Sequence, residues 1–143
     1  PFYRCYGCSD GGHIAVAALE PQFFANLLMA LKLDPNRFVQ HDPEGWPEMA
    51  RIFTDIFVQY PRDHWDSVFA GIDACVTPVL NFDEAARHPH NVSRKTFTRI
   101  DGVGQPAPSP RFETTPLKID PQIRASLSPQ QALQRWSSRD SGE

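Results

Sequence analysis

Apolar and polar positions change their period several times along this chain, and each change predicts an element. Residues 2–6 are rich in aromatics and fit a strand. Ser9-Asp10-Gly11-Gly12 is turn sequence, and residues 13–19 form a nearly unbroken apolar run. Two strands around a glycine-containing turn predict a hairpin. Pro21 suits the first position of a helix, and Phe24, Leu27, Leu28 and Leu31 recur at helical spacing. An amphipathic helix over about 21–32 follows, ended by Asp34-Pro35-Asn36. Trp46, Met49, Phe53, Ile56 and Phe57 mark a second helix at the same period. Pro61 opens a third, with Asp63 in its acidic first turn and Trp65, Val68 and Phe69 on its apolar side.

Residues 74–80 read as a strand or extended edge, because Pro78 cannot donate to a ladder. Asn81 can cap a short helical turn through Ala86, which His88-Pro89-His90-Asn91 breaks. Residues 96–100 alternate weakly, and Asp101-Gly102 is a hairpin turn before Val103. From Gln105 the character changes: Pro106, Pro108, Pro110 and Pro116 make an extended arm suited to lying over another surface. Ser128-Pro129 can start a last helix through about Trp136, before a polar, frayed tail at 137–143. The fold class is α+β: a small antiparallel sheet with helices grouped between its strands, then a proline-rich arm and a C-terminal helix. The expected division is a small α+β domain at 1–104 and the arm, helix and tail at 105–143.

The composition narrows the function classes. The 143 residues are 41% hydrophobic and 22% charged, the balance of an ordinary globular domain. A net charge of −3 argues against nucleic acid as a partner, which calls for a basic surface. No apolar run reaches the roughly 18 residues of a membrane span, so no membrane is expected either. Cys5, Cys8 and Cys75 are an odd count with no secretory signal before them, which points to free thiols and a cytoplasmic location. The first residue is Pro1, and the chain reads as a piece of something longer.

Glu20 stands out because it ends an apolar strand and immediately precedes Pro21. A carboxylate there can orient or tune a proton-transfer group, or simply cap the helix. Cys5-x-x-Cys8 with His13 nearby suggests zinc only weakly, since structural zinc takes four ligands and no second such pair exists; no metal is expected. Cys75, in an apolar run, reads as a buried thiol. His88 and His90 flank a proline in a loop, where histidines usually face solvent. Gly11-Gly12 has neither dinucleotide-binding nor Walker spacing. The residues alone thus define an α+β piece with one conspicuous glutamate.

Several segments, in order, resemble the C-terminal part of the α-methylacyl-CoA racemases, members of the family III CoA-transferase (CaiB–BaiF) superfamily. They are Pro1-Phe2-Tyr3-Arg4 with Ser9-Asp10-Gly11-Gly12, Ile14-Ala15-Val16-Ala17-Ala18-Leu19-Glu20-Pro21-Gln22-Phe23, Arg62-Asp63-His64-Trp65 with Phe69-Ala70-Gly71, and Asp73-Ala74-Cys75-Val76-Thr77-Pro78-Val79. His88-Pro89-His90-Asn91 and the run from Gln105 to Phe112 complete the series. The resemblance implies a small α+β domain whose proline-rich arm returns to a large Rossmann-like domain, with two chains interlocked. It implies inversion of the carbon beside the thioester carbonyl of 2-methylacyl-CoA substrates, by acid–base proton transfer through an enolate. It calls for no cofactor, the CoA thioester being the substrate.

By the same resemblance, Glu20 matches a small-domain glutamate that supports the catalytic histidine across the dimer interface. Tyr3, Leu19 and Pro21 match positions near the acyl chain, and Cys75 and His90 match polar positions near the site. The family's histidine and aspartate proton carriers belong to the large domain, so the expected partners are that domain or a homodimer mate, besides acyl-CoA, and the piece alone is expected to be inactive. Ala17 stands where the family commonly has glycine, and Cys5 and Cys8 are not family features. Two rival readings are a segment of a CoA-transferase of the same superfamily and a non-enzymatic remnant.

Overall fold

The computed structural model describes residues 1–117, 119 and 128–139, and the chain divides into two compact units, Pro1–Asn81 and Phe82–Glu143. In the first unit, β1 (Tyr3–Gly7), β2 (His13–Ala17) and β3 (Val76–Pro78) form an antiparallel sheet in that order. Tyr3 lies opposite Ala17, Gly7 opposite His13, and Val16 opposite Val76. Three helices fill the sequence between β2 and β3: α1 (Pro21–Ala30), α2 (Trp46–Phe57) and α3 (Arg62–Phe69). The α+β class expected from the apolar periods is the fold observed.

Alternation along β1 and β2 sends Tyr6, Ile14 and Val16 inward. Helical spacing supplies the other side of the core. Phe24, Leu27 and Leu28 come from α1, Met49, Phe53 and Phe57 from α2, and Trp65 and Phe69 from α3. Phe57 is the hub. Its ring stacks on Tyr6 at 5.1 Å and on Phe69 at 6.4 Å, and meets Trp65 edge-on at 5.0 Å. The Trp65 indole N–H donates to the Phe57 carbonyl at 2.8 Å, satisfying the polar end of a buried ring.

The β1–β2 turn is tied to α3. Gly11 has φ +80°, which glycine adopts without strain. The Asp10 carboxylate accepts from the Gly12 N–H at 3.0 Å and from the Arg62 N–H, in the first turn of α3, at 3.2 Å. The Gly12 bond first, and the Arg62 bond after it, hold this carboxyl below its ordinary pKa. A Cβ on Gly12 would stand 2.9 Å from the Arg62 Cβ, so only glycine permits the approach.

Tyr6 donates its hydroxyl to the Pro1 carbonyl, and burial pushes its pKa up to about 12, against a smaller opposite pull from Arg4. A phenol whose pKa is raised by folding stabilises the fold below its unfolded pKa of about 10 and loses that contribution as the pH climbs towards 12. Urea midpoints are therefore expected to fall across this window, and to fall less in Tyr6→Phe. An equal fall in both proteins would contradict the assignment.

The end of α1 departs from simple helix termination. Lys32 takes φ 56°, its N–H bonds the Met29 carbonyl at 3.0 Å, and the Leu33 N–H reaches back to the Leu28 carbonyl at 2.9 Å. This is a Schellman closure with lysine where glycine is favoured. Lys32→Gly relieves the left-handed strain and is expected to stabilise the unit by about 1 kcal/mol in chemical denaturation.

The second unit holds α4 (Phe82–Arg87), α5 (Pro89–Ser93), the hairpin of β4 (Phe97–Ile100) and β5 (Val103–Pro106), and α6 (Pro129–Arg139). Asp101 and Gly102 both have positive φ, as the two central residues of the tight turn that suits paired strands. The sequence reading of 88–91 as an irregular break needs correction. Pro89 ends α4's register but opens α5, with the Val92 N–H bonding the His88 carbonyl at 3.0 Å. Proline interrupts a helix and also starts one well. The first residues of the proline-rich arm belong to β5, and Arg111 further along donates to the Lys95 carbonyl at 2.8 Å. Ser128 and Gln131 exchange hydrogen bonds at the start of α6, as a capping box does. Residues 118, 120–127 and 140–143, which include parts of the expected arm and tail, lie outside the described residues.

Candidate functional site

The β2 ladder ends at Ala17, and the next four residues build the site. The Ala18 N–H still donates to the Phe2 carbonyl at 2.9 Å, but the Leu19 N–H turns back to the Ala17 carbonyl at 2.9 Å. Glu20 then has φ −76° and ψ 145°, the extended conformation that a following proline imposes. Pro21 opens α1, and the Glu20 carbonyl accepts the Phe24 N–H at 3.0 Å. Glu20 thus stands at the N-cap position, yet its side chain makes no capping hydrogen bond. The simple capping role open to it in the sequence is not realised. Glu20 is exposed just past the end of β2.

Two further segments converge on this strand end. The Cys75 carbonyl accepts the Ala17 N–H at 2.9 Å, which places Cys75 beside the end of β2. Cys75 has φ 51°, a left-handed conformation held by that bond and by the start of β3. Its thiol is half-buried, where the sequence suggested full burial. Burial first, then the carboxylates of Asp73 and Glu20, raise its pKa, so it stays protonated at neutral pH. From the strand on the other side, Tyr3 lies opposite Ala17 and its ring is two-thirds exposed. Leu19 is half-exposed, and Pro21 is exposed. Five of the six residues singled out in the sequence (Tyr3, Leu19, Glu20, Pro21 and Cys75) therefore gather at one end of the three-stranded sheet. His90 is carried by the second unit, exposed on α5.

The sequence reading missed the groups that hold this end in place. Gln40 is buried, and its Nε2 donates to the Leu19 carbonyl at 2.8 Å and to the Ala18 carbonyl at 3.2 Å. The Trp46 indole N–H fixes the Gln40 main chain by donating to its carbonyl at 2.8 Å. Asn26, on α1, donates to the Asp73 carbonyl at 2.8 Å and so anchors the approach to Cys75. The Gln40 and Asn26 bonds span distant parts of the sequence, and nothing in the local pattern announces them. Cys5 is exposed on β1 while Cys8 is buried in the core. Among the described residues, no three His, Cys, Asp or Glu side chains are grouped to hold a metal ion, and no helix is long and apolar enough to cross a membrane.

Comparison with known sequences defines the class of this α+β chain. Residues 1–130 match CoA-transferase family III, and the chain belongs to that family. It is 42% identical over 129 residues to the α-methylacyl-CoA racemase of Mus musculus and equally so to that of Homo sapiens, covering 86% of this chain and 34% of each relative. It is 36% identical over 117 residues to a CaiB/baiF CoA-transferase family protein of Caenorhabditis elegans, covering 80% of this chain and 32% of that protein. The chain spans about a third of the length of these curated relatives.

Proposed function

We propose that the strand end around Glu20 is one wall of an acyl-CoA site that epimerises the 2-methyl centre of 2-methylacyl-CoA thioesters. The observation that carries this reading is the Glu20 carboxylate: exposed at the end of β2 and committed to no capping bond. A thioester acidifies its α-carbon, so side-chain acids and bases suffice if the enolate oxygen is stabilised, and the reaction calls for no metal or redox group. One group removes the α-proton from one face, and a second returns a proton to the other. Glu20 supports the histidine of that pair, an imidazolium in one half of the cycle, by offering it an opposite charge. That pair comes from the large domain of the same or a partner chain, in an interlocked dimer.

Glu20 and Asp73 make this end of the sheet acidic, which suits a cationic proton carrier and repels the phosphates of CoA. The acyl end of the substrate therefore lies here, against Tyr3, Leu19 and Pro21, with Cys75 as a neutral thiol at its edge. Three unpaired cysteines suit a reducing compartment, and we place the protein in the cytoplasm, in lipid metabolism.

A second reading, moving CoA between carboxylic acids, fits the name of the family to which the chain belongs. A chimaera separates the two readings. This chain replaces the matched third of the Mus musculus racemase, and the product is incubated with a 2-methylacyl-CoA in deuterated water, with and without a free carboxylic acid. Epimerisation predicts deuterium at the α-carbon and no CoA transfer. Transfer without deuterium supports the transferase, and neither activity removes both readings.

A further inference from the structure

We propose that Gln40 is the positioning residue for the Glu20 carboxylate, holding it in register by clamping the two carbonyls that precede it. The proposal rests on the role given to Glu20 above. Gln40 is the buried polar side chain of the first unit, and its position is unusual for what it serves. β2 leaves the ladder after Ala17: the Ala18 N–H still bonds the Phe2 carbonyl, but the carbonyls of Ala18 and Leu19 lie past the last strand pairing. The Gln40 amide takes that place, bonding both carbonyls from a single nitrogen. A buried carbonyl without a donor costs about 1–3 kcal/mol, which would favour a shift of this segment into solvent. Glu20 is the next residue, and its own side chain has no cap bond to hold it. Its orientation is therefore set through the main chain by Gln40, and Gln40 in turn by the Trp46 indole.

A purely structural amide would fix the fold and leave the chemistry indifferent to it, and a double-mutant cycle tells the two apart. In the chimaera, Gln40→Met keeps the volume and removes the donors. Deuterium exchange at the α-carbon is expected to fall about tenfold or more, in kcat with KM little changed, since misplacement of a catalytic group by about 1 Å costs up to about a hundredfold. In a Glu20→Gln background the same change is expected to do almost nothing, because the group it positions is gone. Equal losses in both backgrounds overturn the positioning role and leave the role of Glu20 standing. No loss from Glu20→Gln alone overturns the site reading itself.

A second readout does not depend on activity. In this chain, backbone order parameters at Leu19 and Glu20 are expected to drop from the rigid range in Gln40→Met. Unchanged values overturn the proposal. Should Gln40→Met not fold, Trp46→Phe, which frees the Gln40 main chain while keeping an aromatic ring, is carried through both measurements with the same expected signs.

Discussion

Glu20→Gln is expected to lower α-proton exchange in the chimaera about a hundredfold while leaving the fold intact. Glutamine keeps the shape of the side chain and removes its charge. In the proposed site, the lost charge is the one that would favour the protonated form of the base supplied by the large domain, so the pKa of that base is expected to drop. The limb of the pH–rate profile that rises as the base deprotonates is then displaced to lower pH, and the plateau falls with it. Loss of one acid–base partner is worth about 10²–10⁴ in rate, and a supporting group sits at the lower end of that range. Because the side chain is exposed and makes no cap bond, the unfolding free energy from urea titration should be within about 0.5 kcal/mol of the parent. Glu20→Asp keeps the charge but draws it back by one methylene, and should fall between the two. Equal exchange by parent and Glu20→Gln would remove Glu20 from the site.

The largest effect on stability is expected at Phe57. Phe57→Ala opens a void against Tyr6, Trp65 and Phe69 at the centre of the first unit, and should cost about 3–5 kcal/mol. For a unit of this size, that lowers the thermal midpoint by about 15 °C or more. Trp65 reports directly, since its ring lies edge-on to Phe57 and its indole N–H bonds the Phe57 carbonyl. Urea titration followed by tryptophan fluorescence measures the loss. A change below about 1 kcal/mol would mean that β1, α2 and α3 do not share one core around Phe57.

Much of the first unit could be read from its apolar periods, because each helix presents one buried face at a spacing of three and four. Phe24, Leu27 and Leu28, and likewise Met49, Phe53 and Phe57, are both the periodic residues and the core. The Asp101-Gly102 turn was legible for a similar reason: few residue pairs tolerate two positive φ values. The site was legible only in part. Glu20 was visible from its place between an apolar run and a proline. Its freedom from capping was not, because that depends on where the side chain points. Gln40 and Asn26 act on carbonyls remote in sequence, and a main-chain carbonyl carries no residue signature for a pattern to detect. The helix at Pro89 was missed because the same residue stops one helix and starts the next.

Strand β3 has a consequence for how the site comes into being. It closes the sheet by pairing Val16 with Val76 across the whole helical insert, and Cys75 stands just before it. Closing so long a loop is entropically unfavourable until α1, α2 and α3 have collapsed inside it. The pairing at the lip of the proposed site is therefore expected to last only as long as the helical insert stays packed. The proposed site is therefore tied to the packing of the entire unit, and a change in any of its three helices is expected to reach the Cys75 end of the sheet as well as the Glu20 end.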